Sequence, residues 1–198
     1  MSQRSVEFYF DYNSPYSYFA THLIEGVCKQ YGATLAWEPM VLGGVFKALN
    51  VQSPVVNNPA KVANMMNDLN TLSVYHGIPY KERTTFLFNP ITALRATLAV
   101  PQGAERARAV KALYEGTFVL DLDMGDSAKV QKQLDKAGFD GAALLEKTQD
   151  EAIKNQLKTN TSRALERGVF GAPTFFVDGD KMIWGHDRLH ILEYFLKS

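Results

Sequence analysis

Apolar and polar positions alternate with a period near two over residues 5–11, SVEFYFD, a run rich in Val, Phe and Tyr that suits a pleated, half-buried strand. The period then lengthens. Tyr18, Phe19, Leu23, Val27 and Cys28 recur at helical spacing, which predicts a helix to about Tyr31, and Gly32 supplies its stop. Between the two periods lies Tyr12-Asn13-Ser14-Pro15. A serine oxygen accepts from an otherwise unpaired amide at a helix start, and proline is favoured at the first helical position, so the helix is predicted to open at Ser14. The run ATLAWEPMVL, residues 33–42, reads as a second strand. Strand, helix and strand this close together predict a parallel pair with a right-handed crossover.

From Gly43 to Thr148 the pattern is helical, with segments predicted over about 60–76, 90–99, 103–119, 126–137 and 140–147, and an irregular loop over 50–58. A further helix is predicted from Asp150 to Arg167, closed by Gly168. TFFVD and KMIW flank Asp178-Gly179-Asp180, a turn signal that predicts a hairpin, and a last helix covers 187–197. The order is β-α-β, a helical block, then α-β-β-α. Without the block this is the chain order of an α/β thioredoxin-like fold. The expected organisation is a thioredoxin-like domain of residues 1–43 and 148–198 carrying an inserted helical domain, 44–147.

Composition narrows the function classes. The 198 residues are 46% hydrophobic, enough for a full core, and 21 basic residues balance 21 acidic ones. No overall field draws nucleic acid or an anionic membrane. The opening MSQRSVEFYFDY lacks the apolar stretch of a secretory signal, and no run reaches bilayer length, so a cytoplasmic location is expected. Cys28 is the single cysteine, which excludes an internal disulfide and a C-x-x-C pair, and it falls among apolar helical positions as a core thiol. His22, His76, His186 and His190 have no metal-ligand spacing, so no metal is expected, and the glycine pairs lack phosphate-loop or dinucleotide patterns.

Two short motifs carry chemistry. Ala172-Pro173 stands at the entrance of a predicted strand, where in thioredoxin-like folds a cis-proline faces the start of the first helix and leaves the preceding backbone able to pair with an extended peptide. Ser14-Pro15-Tyr16-Ser17 stands where a thiol oxidoreductase of this fold places Cys-Pro-x-Cys. Ser14 as a helix cap contributes about 1 kcal/mol. The same hydroxyl, at a positive helix end, is also placed to donate to a bound thiolate. An ordinary thiol has a pKa of about 8.5, and each unit of depression corresponds to about 1.4 kcal/mol, so a donor and a helix end together suffice to ionise much of a ligand thiol. With no adjacent His-Asp pattern, Ser14 reads as a donor rather than a nucleophile.

FYFDYNSPYSY near the start, GIP at 77–79 and VFGAPTFFV continuing to WGHDRL from 169 to 189 resemble the 2-hydroxychromene-2-carboxylate isomerase family, with its DsbA-like fold and kappa-class glutathione transferase relatives. The resemblance runs the length of the chain. It implies a glutathione site in which Ser14 meets the sulfur, the backbone of Ala172, beside Pro173, pairs with the cysteinyl unit, and Trp184, Gly185, His186 and Asp187 surround the γ-glutamyl end. It also implies a small aromatic carboxylic acid as substrate, bound between the core and the helical block, and a homodimer. By position Phe46, Asn57, Asn58, Lys61, Phe88 and Asn89 are the substrate candidates, with Lys61 opposite a carboxylate. The chain departs from the family pattern in placing Phe46 where a lysine stands and Asn57-Asn58 where an Asn-Arg pair stands. Lys47 is the neighbouring substitute for that lysine. Three functions stay open: an isomerase acting by reversible thiolate addition, a kappa-like transferase or peroxidase that consumes glutathione, and a thioredoxin-fold binding protein without catalysis.

Overall fold

The computed structural model describes residues 3–53, 58–85 and 87–197. Strand β1 (Ser5–Phe10) lies at the centre of the sheet, parallel to β2 (Thr34–Pro39) and antiparallel to β3 (Thr174–Val177), and β4 (Lys181–Trp184) closes the order β2-β1-β3-β4. In register, Phe8 faces Trp37 on one side and Phe175 on the other. Their rings meet at 5.4 and 4.9 Å, an aromatic layer that fixes the three strands against one another.

The partial alternation of β1 has a physical cause, since both of its faces are covered. Val6, Phe8 and Phe10 enter the main core, whereas Tyr9 points into a smaller cluster with Met40, Val45, Ala164, Val169 and Phe176. Helix α1 (Pro15–Gln30) crosses the first face, burying Tyr18, Phe19, Ile24 and Cys28. It ends as expected, with Gly32 in the left-handed conformation at φ 63° just past the cap.

On the second face lie α2 (Leu42–Ala48) and α8 (Glu151–Glu166). Arg163 of α8 donates to the Tyr9 hydroxyl at 2.7 Å, and Arg167, just beyond, donates to Glu7 at 2.8 Å. Helices α3 (Pro59–His76), α4 (Ile91–Ala99), α5 (Ala104–Phe118), α6 (Ser127–Lys136) and α7 (Gly141–Lys147) fall between β2 and β3 in sequence. Their apolar faces continue the sheet's core, so Leu94, Val110 and Tyr114 belong to the same buried cluster as Phe8 and Phe10. A 3-10 turn, His186–Arg188, leads into α9 (Leu189–Lys197). This is the expected thioredoxin-like arrangement.

One element differs from expectation. The second strand stops at Pro39 rather than running to residue 42, and residues 42–48 form α2, a helix not among the expected segments. Its cap residue Val41 offers no side-chain oxygen; instead the carboxylate of Asp11 accepts the Leu42 N–H at 2.8 Å from across the fold. Among the described residues no helix is long and apolar enough to cross a membrane.

Candidate active site

The end of β1 turns into α1 through Asp11, Tyr12 and Asn13. The Asp11 carbonyl accepts the Ser14 N–H at 2.9 Å and the buried Tyr114 hydroxyl at 3.0 Å, which fixes where the helix begins. Ser14 caps it. Its oxygen accepts from the Ser17 N–H at 3.1 Å and from the Ser17 hydroxyl at 3.0 Å, and its own proton goes to the Ala172 carbonyl at 3.1 Å. The Ala172–Pro173 peptide is cis. Residues 14 and 173 therefore meet on one edge of the molecule, although 158 positions separate Ser14 from Ala172 in the chain. The Ala172 N–H has no hydrogen bond among the described residues, while the Pro173 carbonyl accepts from Gly185 N–H at 3.0 Å, tying the loop to the end of β4. No acidic residue stands in the first turn of α1 to offset its positive end.

Trp184, Gly185, His186 and Asp187 follow directly on this tie. Trp184 pairs with Thr174 across the hairpin and is 46% exposed, with its ring 4.9 Å from that of Phe170. Gly171 leaves room for the indole: a Cβ there would lie 2.6 Å from the Trp184 Nε1. His186 stacks on Tyr16 at 4.8 Å with the planes 15° apart. Burial lowers the His186 pKa against the opposing pull of Asp187 and Asp68, which favours the neutral imidazole. Burial and the neighbouring carboxylates of Asp68 and Asp187 push the Tyr16 phenol well above its usual value.

Sequence reasoning missed the residues that hold Ser14 from beneath. Asp11 is 1% exposed; its carboxylate accepts the Asn13 and Leu42 N–H groups, each at 2.8 Å. Burial nevertheless raises its pKa to about 6, against those hydrogen bonds. Asn13 in turn grips Phe88, donating to its carbonyl at 3.0 Å and accepting its N–H at 3.2 Å. The loop between α3 and α4 is thereby fastened to the Ser14 turn. Further fastenings include the Tyr18 hydroxyl on the Pro79 carbonyl, the Lys81 N–H on the Phe118 carbonyl at 2.7 Å, and the Thr84 N–H on Asp121 at 3.0 Å. An Asp-x-Asn-Ser run at a strand end, with acceptors one and three residues before the cap, was the available signal for Asp11.

The expected substrate residues are placed less tightly. Phe46 is half-buried and Lys47 exposed on α2. Asn58 caps α3, its side-chain oxygen accepting the Lys61 N–H at 3.0 Å, and Lys61 is exposed. Asn89 uses its oxygen on the Ile91 N–H at 3.2 Å. Of these residues, Phe88 is the one joined to the Ser14 turn, through Asn13. Asn57 lies outside the described residues. A small crevice bordered by Asn13 and Pro15, the neighbours of Ser14, is lined instead by Met65, Tyr80, Arg83 and Phe118, among others.

The chain matches the family model of the DSBA-like thioredoxin domain over residues 5–197. A 2-hydroxychromene-2-carboxylate isomerase from Pseudomonas sp. (strain C18) is 30% identical over 95% of this chain and 88% of its own length. The human glutathione S-transferase kappa 1 is 29% identical over 98% of this chain and 91% of its own. A solved 2-hydroxychromene-2-carboxylate isomerase superimposes with a TM-score of 0.85 at 27% identity, covering 98% of this chain and 94% of that one. With the serine pair at the opening of α1, the cis-proline opposite it and these full-length matches, the chain belongs to the DsbA-like thioredoxin-domain family and, within it, to the 2-hydroxychromene-2-carboxylate isomerases.

Proposed function

We propose that this chain is an enzyme, a glutathione-dependent isomerase of 2-hydroxychromene-2-carboxylate or a related intermediate of aromatic catabolism. The observation that carries the reading is the Ser14 hydroxyl at the positive end of α1, 3.1 Å from the carbonyl that precedes the cis-proline. The residues fit a cysteinyl peptide. Ala172 offers an unpaired N–H, and its carbonyl is held by a donor that can be exchanged. A peptide N–H arriving at that carbonyl takes over the bond and releases the Ser14 proton toward sulfur. The exchange is favourable: a neutral hydrogen bond contributes about 1 kcal/mol and one to a charged partner about 1.5–3 kcal/mol.

When bound, glutathione supplies a thiolate that adds reversibly to the conjugated system of the substrate and later leaves. Ser14 and the α1 terminus hold that sulfur anionic. Ser17, whose hydroxyl donates to Ser14, keeps the Ser14 oxygen satisfied while its proton is turned outward. Trp184, Gly185, His186 and Asp187 border the γ-glutamyl end, where the Asp187 carboxylate faces the ammonium group. In this reading the thioredoxin-like parts, residues 1–43 and 148–198, hold glutathione, and the helical insertion, 44–147, supplies the walls for a small aromatic acid. A cytoplasmic homodimer completes the reading.

The test is to mix the protein with glutathione and 2-hydroxychromene-2-carboxylate and follow the spectrum. A change above background that requires glutathione, with free thiol constant, is expected; no change above background removes this substrate class. The 29% identity to a kappa-class transferase favours a second reading, conjugation of an electrophile or reduction of a hydroperoxide. Net loss of free thiol in the same assay selects it.

A further inference from the structure

Beneath Ser14 a line of hydroxyls leads into the core. The Ser17 hydroxyl lies 3.0 Å from the Ser14 oxygen, and both Ser17 and Tyr114 of α5 are fully buried. Tyr114 donates its proton to the Asp11 carbonyl at 3.0 Å, the same carbonyl that accepts the Ser14 N–H at 2.9 Å. Its oxygen is thereby left as an acceptor. Burial first, then Tyr12 and Asp11, push the Tyr114 phenol well above its usual pKa, and a hydrogen bond with the Ser17 side chain opposes them. The other titratable groups packed on Tyr114 are engaged elsewhere: Tyr12, with its ring 4.8 Å away, shares its hydroxyl with Thr97, and Tyr18 sends its own to the Pro79 carbonyl. Each serine carries one proton, and the Ser17 proton has two acceptors, Ser14 and Tyr114. Two orders follow. In the outward order Ser17 donates to Ser14, and Ser14 donates to the Ala172 carbonyl at 3.1 Å or to a sulfur in its place. In the inward order Ser14 donates to Ser17 and Ser17 to Tyr114, so the Ser14 oxygen is open to an S–H.

We infer that Tyr114 is a positioning residue of the sulfur site: by competing for the Ser17 proton it lets Ser14 accept from an arriving thiol and then donate to the thiolate that forms. The inference rests on the proposed glutathione reading for the identity of the sulfur. Ionisation breaks the S–H bond, leaves the electron pair on sulfur and gives the proton to solvent, while the hydroxyls only exchange partners. Both orders keep the buried hydroxyls bonded, so neither form of the ligand leaves one of them unsatisfied. Without the Tyr114 oxygen the inward order loses its last acceptor, and the balance moves toward the thiolate.

The test has two arms. In Ser14→Cys the chain itself carries the sulfur, and thiolate absorbance follows its ionisation, alone and combined with Tyr114→Phe or Ser17→Ala. Cys28, its thiol pushed up to about 12, stays silent through the neutral range. Tyr114→Phe is expected to lower the midpoint by about 0.5 pH unit and Ser17→Ala to raise it by about 1. A merely structural tyrosine would cost stability without moving the midpoint down. The inference is overturned if Tyr114→Phe raises the midpoint or leaves it within about 0.2 pH unit. Where that variant fails to fold, the Tyr114 Cζ resonance of Ser14→Cys decides. It should shift with the thiolate midpoint, and Ser17→Ala should abolish the shift; a resonance that ignores the titration overturns the inference. In the second arm glutathione saturates the wild type and Tyr114→Phe, and the bound thiolate should form about 0.5 pH unit lower in the variant. Glutathione that does not bind the wild type sinks the isomerase reading alone, since the cysteine arm still decides the hydroxyl order. Bound glutathione with an unmoved midpoint sinks the Tyr114 role alone.

Discussion

Asn13 holds Phe88 by both of its backbone groups, donating to the carbonyl at 3.0 Å and accepting the N–H at 3.2 Å, across 75 positions of sequence. A side-chain amide carries its donor and acceptor on separate atoms and so meets a backbone carbonyl and N–H at once, and here it joins the Ser14 turn to the loop that bears Arg83. Asn13→Ala leaves both partly buried groups of Phe88 unpaired, at a cost of about 1–3 kcal/mol. Asn13→Asp keeps the acceptor and sets a carboxylate against a carbonyl. Urea unfolding should rank wild type above both variants, and the Phe88 amide should exchange faster in each. Unchanged exchange would show that the grip does not order the loop.

Ser14→Ala separates the cap from the chemistry. Loss of the cap should lower stability by about 1 kcal/mol. Loss of a donor to an anionic sulfur, about 1.5–3 kcal/mol, should lower kcat/KM with glutathione by about 10- to 100-fold. The ultraviolet absorbance of bound thiolate should then appear about 1–2 pH units higher. A variant as active as wild type, with an unshifted thiolate signal, would make Ser14 a cap and nothing more.

Asp11 makes stability depend on pH in the direction opposite to most carboxylates. Its folded pKa, about 6, lies above the ordinary 3.8 because burial outweighs its two N–H partners. Folding therefore favours the protonated form. The contribution is fully present below about pH 4 and is lost as pH rises through 6, by about 3 kcal/mol for a shift near two units. Asp11→Asn removes this dependence and gives up one of the two N–H acceptors. Across pH 4–8, the unfolding free energy of wild type minus that of Asp11→Asn should fall by about 2–3 kcal/mol. A flat difference would place the carboxyl in a more polar setting than its 1% exposure indicates.

Cys28 should be inert. It is 3% exposed, and burial with the nearby Glu25 pushes its thiol up to about 12. At pH 8 the thiolate fraction is then on the order of one in ten thousand. A chromogenic disulfide reagent should find no thiol in the native protein and one after denaturation. Cys28→Ala should keep glutathione-dependent activity within about twofold while losing about 1 kcal/mol of stability to the small cavity.

What the sequence disclosed was whatever is encoded locally. The Ser14-Pro15 start needs only adjacent residues, as does the turn at Asp178-Gly179, where both φ angles are positive, 49° and 81°. The element order then followed, and with it the meeting of Ser14 and Pro173. Helix α2 was missed because Gly43 and Gly44 weaken its propensity and its help comes from Asp11, 31 positions earlier. The crevice was missed for the same reason. Arg83 reads as a loop charge, and Met65 and Phe118 as helix core, until tertiary packing places all three around Asn13 and Pro15.

The Ser17 hydroxyl donates to Ser14 at 3.0 Å, so two oxygens stand where a redox enzyme of this fold keeps two sulfurs. Oxygen forms no mixed disulfide with an arriving thiol, so a sulfur gripped there is held by hydrogen bonds and not by a bond to the protein. Oxidative stress thus has no handle on this pair, and the protein needs no reductase to reset it between turnovers.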